Sequence, residues 1–300
     1  MSAKRWNGLK YLLIAVPFIL WTFAFCYVPI FGWMYAFTNY QLGRGPFEMP
    51  FVGFNNFVRL WNDRADLIRV LRNTLALSFM SIGCSVLPVA FAIMLNDIVN
   101  LRLKKLIQTV TTLPHFISWI VVFGIAFAMF SNSGFVATFM MYMGIQINYG
   151  AGIMGNVNTI WRFMTALDVW KTLGWSAIIY LAAIAGIDQE LYDAAKVDGA
   201  SKLQTARHIT LPGITETYLV LLLLNISNLL SSGFEKYFVF YNSMVSSKLE
   251  VLDYFVYKLG IIIGDYSMSV AVSVFKSVVS VALLFFANGV SKRIRGSSIF

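Results

Sequence analysis

Charge is scarce in this chain. Of its 300 residues, 12% are Asp, Glu, Lys or Arg and 58% are hydrophobic, whereas a soluble domain carries about 25% charged residues. That shortage excludes an ordinary globular domain and points to a polytopic membrane protein. Cysteine is scarce as well. Cys26 and Cys84 each lie inside an apolar run, so neither a disulfide framework nor a cysteine-based zinc site is implied, and both read as small packing residues. The two histidines, His115 and His208, have no ligand cluster around them and read as structural. The phosphate-cradling pattern Gly-x-x-x-x-Gly-Lys-Ser/Thr is missing, so any ATP chemistry falls to another chain. There is no credible nucleophile–base constellation, no repeat of 20–50 residues and no low-complexity tract. The chain is therefore read as a non-enzyme that holds no metal or cofactor. The net charge of +9 does not indicate nucleic acid, because the basic residues flank apolar runs and form no dense cluster.

What is abundant is apolar length. A helix crossing a bilayer needs about 20 mostly apolar residues, and six stretches qualify: roughly 11–37, 70–95, 106–130, 164–187, 213–232 and 268–290. The first follows Lys4, Arg5 and Lys10 and is too long for a cleaved signal. The expected fold is all-α, a polytopic membrane protein with six transmembrane helices. It divides into residues 1–69 (first span and outer segment), 70–290 (core) and a tail, 291–300. An even number of spans puts both ends on one side. The basic residues at the termini and at Arg102, Lys104 and Lys105 make that side cytoplasmic, N-in and C-in.

Three outer segments are longer. Gly43, Gly45, Pro46 and Pro50 predict a loop, followed from Asn55 by an amphipathic helix with Phe57, Leu60 and Trp61 on its apolar side. Residues 131–160 carry Gly134, Gly144, Gly150, Gly152 and Gly155 and read as loops with short interfacial helices. Residues 233–262 are rich in aromatics, including Phe234, Tyr237, Phe238, Phe240, Tyr241, Tyr254, Phe255 and Tyr257. Most of these are expected in headgroup-level belts, the bolder alternative being that a few line a solute's entry.

The most telling segment is the polar island at 188–212. Asp188 and Glu190 suit a helix start, and Ala194 and Ala195 keep that helix thin enough for a partner to approach. Gly199 can adopt a positive φ and end it. A second helix, Lys202 to Ile209, is expected to stop before Pro212. A solvated loop with ordinary caps would share some of these features.

Asp193-Ala194-Ala195, Asp198-Gly199-Ala200 and Ile209-Thr210-Leu211-Pro212 resemble the coupling loop of type I ABC importer permeases. Asp193 stands where Glu is usual and Ala206 where a bulky aromatic is usual. Further stretches resemble carbohydrate-uptake permeases of that family: Phe51 to Phe57, Asn73-Thr74-Leu75, Leu113-Pro114-x-Phe116-Ile117-Ser118, Trp170-Lys171-x-x-Gly174, Leu252-Asp253 with Tyr257, and Asp265-Tyr266-Ser267. Within it, the likeness is to the LplB-type polysaccharide and oligosaccharide permeases, including the alginate importer permease.

The resemblance implies a plasma-membrane permease of a bacterial ABC importer. Such a permease pairs with a second, similar permease and two ATP-binding subunits, and receives an oligosaccharide from an outer solute-binding protein. ATP and magnesium would be bound by the ATPases. Asp193, Ala194, Ala195, Asp198, Gly199, Ala200, Ile209, Leu211 and Pro212 would form the ATPase-coupling contact. Asn225, Asn228 and Ser232, at i, i+3 and i+7, share one helical face and are candidates for the solute path, the alternative being interhelical hydrogen bonds. Lys171 and Trp175, at i and i+4, are candidates to meet a uronate and a sugar face; alternatively Lys171 pairs with Asp168 and Trp175 packs. Lys276 in the last span is left without a role. Outer-side basic residues permit an anionic sugar such as alginate.

The rival reading is an ion-coupled secondary transporter using Asp168, Lys171, Glu216 and Lys276. The coupling-type loop argues against it, as does the lack of inverted-repeat broken helices.

Overall fold

The computed structural model describes residues 3–45, 48–144 and 152–295. Pro46, Gly150 and the end of the tail lie outside them. The fold is all-α. Among the described residues the only extended pairing is one antiparallel bridge, Thr38 with Phe51. Six helical stretches are long and apolar enough to cross a membrane: Lys10–Phe37, Arg64–Asn96, Trp119–Tyr142, Ile160–Ala185, Lys202–Ser227 and Tyr266–Arg293.

The chain clusters into two units, Met1–Leu67 with Phe255–Val278, and Ile68–Tyr254 with Val279–Phe300. The return of Phe255–Val278 to the N-terminal unit has no counterpart in a simple cut at residue 69. In that first unit, the opening helix passes through a π turn at Phe23–Tyr27 into a 3-10 stretch, Val28–Phe37. The end of this stretch is capped from outside. Asn56, buried on helix Asn55–Asn62, donates its amide to the carbonyls of Ala36 (2.9 Å) and Thr38 (3.1 Å). Ser267 donates to Thr38 O at 2.8 Å and accepts from the Tyr40 N–H at 2.9 Å. These bonds satisfy carbonyls that a helix end leaves open. Ala36, Ala271 and Val274 form the small core beneath. Asn55–Asn62 is the expected helix, with Leu60 buried and Phe57 half-buried, but Trp61, expected on the same side, is exposed together with Val58.

The second unit carries the core, where Val89, Ala92, Ala177, Tyr180, Ile184 and Ile214 pack between three spans. Two of its spans are broken. The second turns at Cys84–Ser85, between helices Arg64–Gly83 and Val86–Asn96. The expected third span, 106–130, is not one helix. Helix Leu101–Thr112 passes into a 3-10 turn, Leu113–Phe116, and restarts at Trp119–Phe130 under a Ser118 cap. Pro114 has no N–H to continue the ladder, and Ile117 and Ser118 are extended.

The aromatic segment departs from expectation in part, while Phe234 and Phe238 are exposed. Tyr237, Phe240, Tyr254 and Phe255 are buried inside the protein rather than standing in a belt. The chain there folds back inward and is held by polar bonds. Asn73 donates to the carbonyls of Ser247 (3.0 Å) and Glu250 (3.1 Å), Arg69 pairs with buried Glu250 at 2.8 Å, and Trp161 Nε1 donates to Lys248 O at 2.7 Å. Each satisfies a group that hydrocarbon could not.

Helices come close at Gly174 on the fourth span. A Cβ there would lie 2.4 Å from the Thr111 carbonyl carbon and oxygen, both fixed backbone. Gly174→Ala is therefore expected to lower stability by about 1–3 kcal/mol through overpacking, read as a lower thermal midpoint in detergent. Gly124→Ala, where no atom lies within 4 Å, should leave the midpoint in place.

Candidate functional site

The polar island folds largely as its sequence suggests. Asp188 caps helix Gln189–Val197 by accepting from the Glu190 N–H at 3.0 Å. Gly199 closes the helix at φ +70° with open space around it. Ser201 and Gln204 form a reciprocal capping box for the second helix. That helix does not stop before Pro212, however. Lys202–Thr205 runs through a π turn, Ala206–Thr210, straight into Leu211–Ser227. Pro212 sits in the first turn of that α-helical segment, where its missing N–H is harmless; the wider π turn lets the helix continue past it. The second half of the loop is thus the foot of the fifth span itself.

The loop is tied down by Tyr192 Oη to Thr210 Oγ1 (3.1 Å) and by Lys202 Nζ donating to Asp97 O (3.4 Å). His208 Nδ1 lies 3.0 Å from Gln204 O, in keeping with a structural role. Of the candidate coupling residues, Asp193, Ala194, Asp198, Gly199, Leu211 and Pro212 are exposed, and Ala195, Ala200 and Ile209 half-buried. Asp193 pairs with Lys196 on the surface at 3.1 Å. Val197 and Leu203 flank Gly199 at 88% and 80% exposure, an apolar pair that a soluble partner would cover.

A second site lies among the second, fourth and fifth spans and helix Phe234–Phe240. It consists of two adjoining compartments. One, of about 200 Å³, is lined by Ser78, Asn225, Asn228, Ser231, Ser232, Lys236 and Tyr237 among others. The other, of about 440 Å³, is lined by Cys84, Ser85, Thr172, Ser176 and Tyr180 among others. Ser81, Asp168 and Asn225 belong to both walls. The face Asn225, Asn228 and Ser232 is therefore brought together on a cavity. The Ser232 hydroxyl is buried there with no hydrogen-bond partner among the described residues, and Asn228 donates to Leu224 O at 3.0 Å.

Lys171 and Trp175 line neither compartment. Lys171 is buried and its Nζ donates to the carbonyls of Pro114 (3.2 Å), His115 (2.7 Å) and Ile117 (2.6 Å). An ammonium has three donors, and none remains for a uronate, so the expected solute contact is replaced by a cap on the broken third span. Trp175 stacks on His115, with ring centres 4.5 Å apart and planes within 1°. Nor does Lys171 pair with Asp168. That carboxylate instead binds Lys236 at 3.0 Å, a partner 68 residues away that no local spacing signals. Burial opposes the charge on Lys236, but neighbouring Tyr237 and Asp168 outweigh it and its pKa lies above the ordinary lysine value. Among the described residues no three His, Cys, Asp or Glu side chains converge as metal ligands.

Similarity to known proteins decides between the importer and the secondary transporter. Residues 84–296 match the family described as binding-protein-dependent transport system inner membrane component. The chain is 36% identical to Protein LplB of Bacillus subtilis (strain 168), covering 100% of this chain and 93% of that protein. It is also 36% identical to the polygalacturonan/rhamnogalacturonan transport system permease protein YteP of the same organism, covering 97% and 90%. Among solved structures it is similar to a chain of a bacterial ABC transporter involved in the import of the acidic polysaccharide alginate, with TM-score 0.86, 32% identity and coverage of 97% and 99%. A second structure, of a bacterial alginate ABC transporter in complex with alginate pentasaccharide-bound periplasmic protein, gives TM-score 0.87 and 31% identity over 98% of each chain.

Replacing Lys171 by Met would strand the carbonyls of His115 and Ile117 at the break of the third span, while Pro114 O keeps the Ile117 N–H at 3.2 Å. Each buried unsatisfied group costs about 1–3 kcal/mol, so Lys171→Met should sharply reduce the folded yield. Whatever protein survives should keep its preference among solutes. A normal yield with an altered solute preference would contradict the capping role.

Proposed function

The chain belongs to the family of binding-protein-dependent transport system inner membrane components, and from that membership we propose that it forms one half of a path for acidic oligosaccharides. It is a multi-pass inner-membrane permease of an ABC importer, a transport subunit and not itself an enzyme. The observation that carries the sugar assignment is the likeness over nearly the full chain to an alginate importer's subunit, supported by the polygalacturonan relative.

In this reading a second, similar permease completes the path, and an outer solute-binding protein delivers the sugar. Two ATP-binding subunits hold ATP and magnesium and dock on the loop around Gly199. Asp193, Ala194, Ala195, Asp198, Ala200 and the run Ile209 to Pro212 frame that contact. The termini and the loop lie on the cytoplasmic side, N-in and C-in, which puts Asn225, Asn228 and Ser232 in the outer half of the fifth span. The mechanical logic follows from the continuous helix Lys202–Ser227. A push on the loop is delivered to the foot of the same helix whose other end lines the cavity. Closure of the ATPases would thereby switch access from outside to inside.

Gly199 tests the coupling. At φ +70° a β-branched residue incurs about 1–3 kcal/mol of backbone strain and must re-aim the loop. In vesicles containing the assembled transporter, Gly199→Val is expected to abolish stimulation of ATP hydrolysis by solute-loaded binding protein and to reduce uptake by about tenfold or more. Normal uptake with normal stimulation would refute the coupling role.

A further inference from the structure

Among the described residues, the two compartments together carry only two charged side chains on their walls, Asp168 and Lys236. These bind each other at 3.0 Å, with side chains 22% and 11% exposed. The walls of these two compartments are therefore neutral as long as the pair is closed. Its two members are placed unequally. Asp168 stands on the wall shared by both compartments, whereas Lys236 lines only the smaller one. The ammonium is also held apart from bulk water. Its Nζ lies 4.9 Å from the centre of the Tyr237 ring and 5.6 Å from that of Trp119, and a partly desolvated charge interacts more strongly than an exposed one.

A carboxylate on a sugar is the same chemical group as the Asp168 side chain. It can take the place of that side chain on Lys236, exchanging one ion pair for another. A neutral sugar brings no charge to offset opening the pair and so leaves it closed.

We propose that the Asp168–Lys236 pair is the charge selector of the transport path, in which Lys236 receives a carboxylate of an acidic oligosaccharide and Asp168 holds the ammonium between cycles. The proposal rests on the oligosaccharide-importer reading and adds to it the residues that read the charge.

The test is direct sugar binding to the purified, fully assembled transporter without solute-binding protein. The probes are a galacturonic acid trisaccharide and the neutral trisaccharide made from it by reducing its carboxyl groups. Lys236→Gln leaves Asp168 alone on the wall, and affinity for the acidic probe should fall about tenfold, the effect of losing one charge-assisted contact. Asp168→Asn frees Lys236, and affinity for the acidic probe should rise by about threefold or more. The neutral probe should change by less than about twofold in both, and Lys236→Arg should keep the acidic preference. The two substitutions thus move the acidic-to-neutral ratio in opposite directions, which a mere structural strut does not do. Equal weakening of both probes by both substitutions, or an unchanged ratio, would overturn the selector. ATP-dependent uptake of a sugar with no charge preference would leave the importer reading standing while sinking the selector. Failure of the unsubstituted transporter to bind or take up either probe would sink both.

Discussion

One buried ammonium holds together the part of the protein on which both candidate sites depend. The third span is interrupted within its apolar run, and three carbonyls there, of Pro114, His115 and Ile117, converge on Lys171 of the fourth span. Buried backbone carbonyls need a donor within the protein, and Lys171 supplies one to this break. Gly174, three residues on, removes the side chain that would keep the two helices apart. Trp175, four residues on, stacks on His115 of the break. Lys171, Gly174 and Trp175 thus lie at helical spacing on one side of a single helix and make one joint. The same helix carries Asp168 on the cavity wall and ends at Ala185, three residues before the cap of the coupling-type loop.

This joint gives a physical reason for two of the stretches that carry the family resemblance. Leu113-Pro114-x-Phe116-Ile117-Ser118 and Trp170-Lys171-x-x-Gly174 are far apart in sequence and carry the resemblance as separate stretches. In the structure they are the two halves of one contact. The number and approximate place of the spans were legible from apolar length alone, because hydrocarbon thickness imposes it. The breaks were not, because Ile117 and its neighbours keep the run apolar through the interruption. Pro114 was the available signal, and it was masked by the hydrophobicity around it. At Pro212 the opposite error arose. A proline read as a stop proved compatible with a helix whose preceding turn is widened to π geometry.

The candidate sites divide in the same way. The loop residues around Gly199 were legible because capping chemistry is local and leaves a short-range pattern. The face of Asn225, Asn228 and Ser232 was legible because polar groups at helical spacing inside an apolar span point one way. The Asp168–Lys236 pair was not legible as a pair, because nothing in a 68-residue separation marks it. Lys171 stands out in the sequence as a charge where charge is costly, but its duty is to cap backbone carbonyls rather than to meet solute. A cation inside a membrane can satisfy backbone carbonyls as well as solute, and only the geometry distinguishes the two.

The central functional claim is that this chain moves solute by accepting work from separate ATPases. It is tested most directly by uptake of a labelled acidic oligosaccharide into vesicles containing the assembled transporter, once with active ATPase subunits and once with subunits that bind but cannot hydrolyse ATP. Uptake should occur only with the active subunits and should persist when proton and sodium gradients are collapsed. Uptake that continues with the inactive subunits and vanishes with the gradients would contradict it.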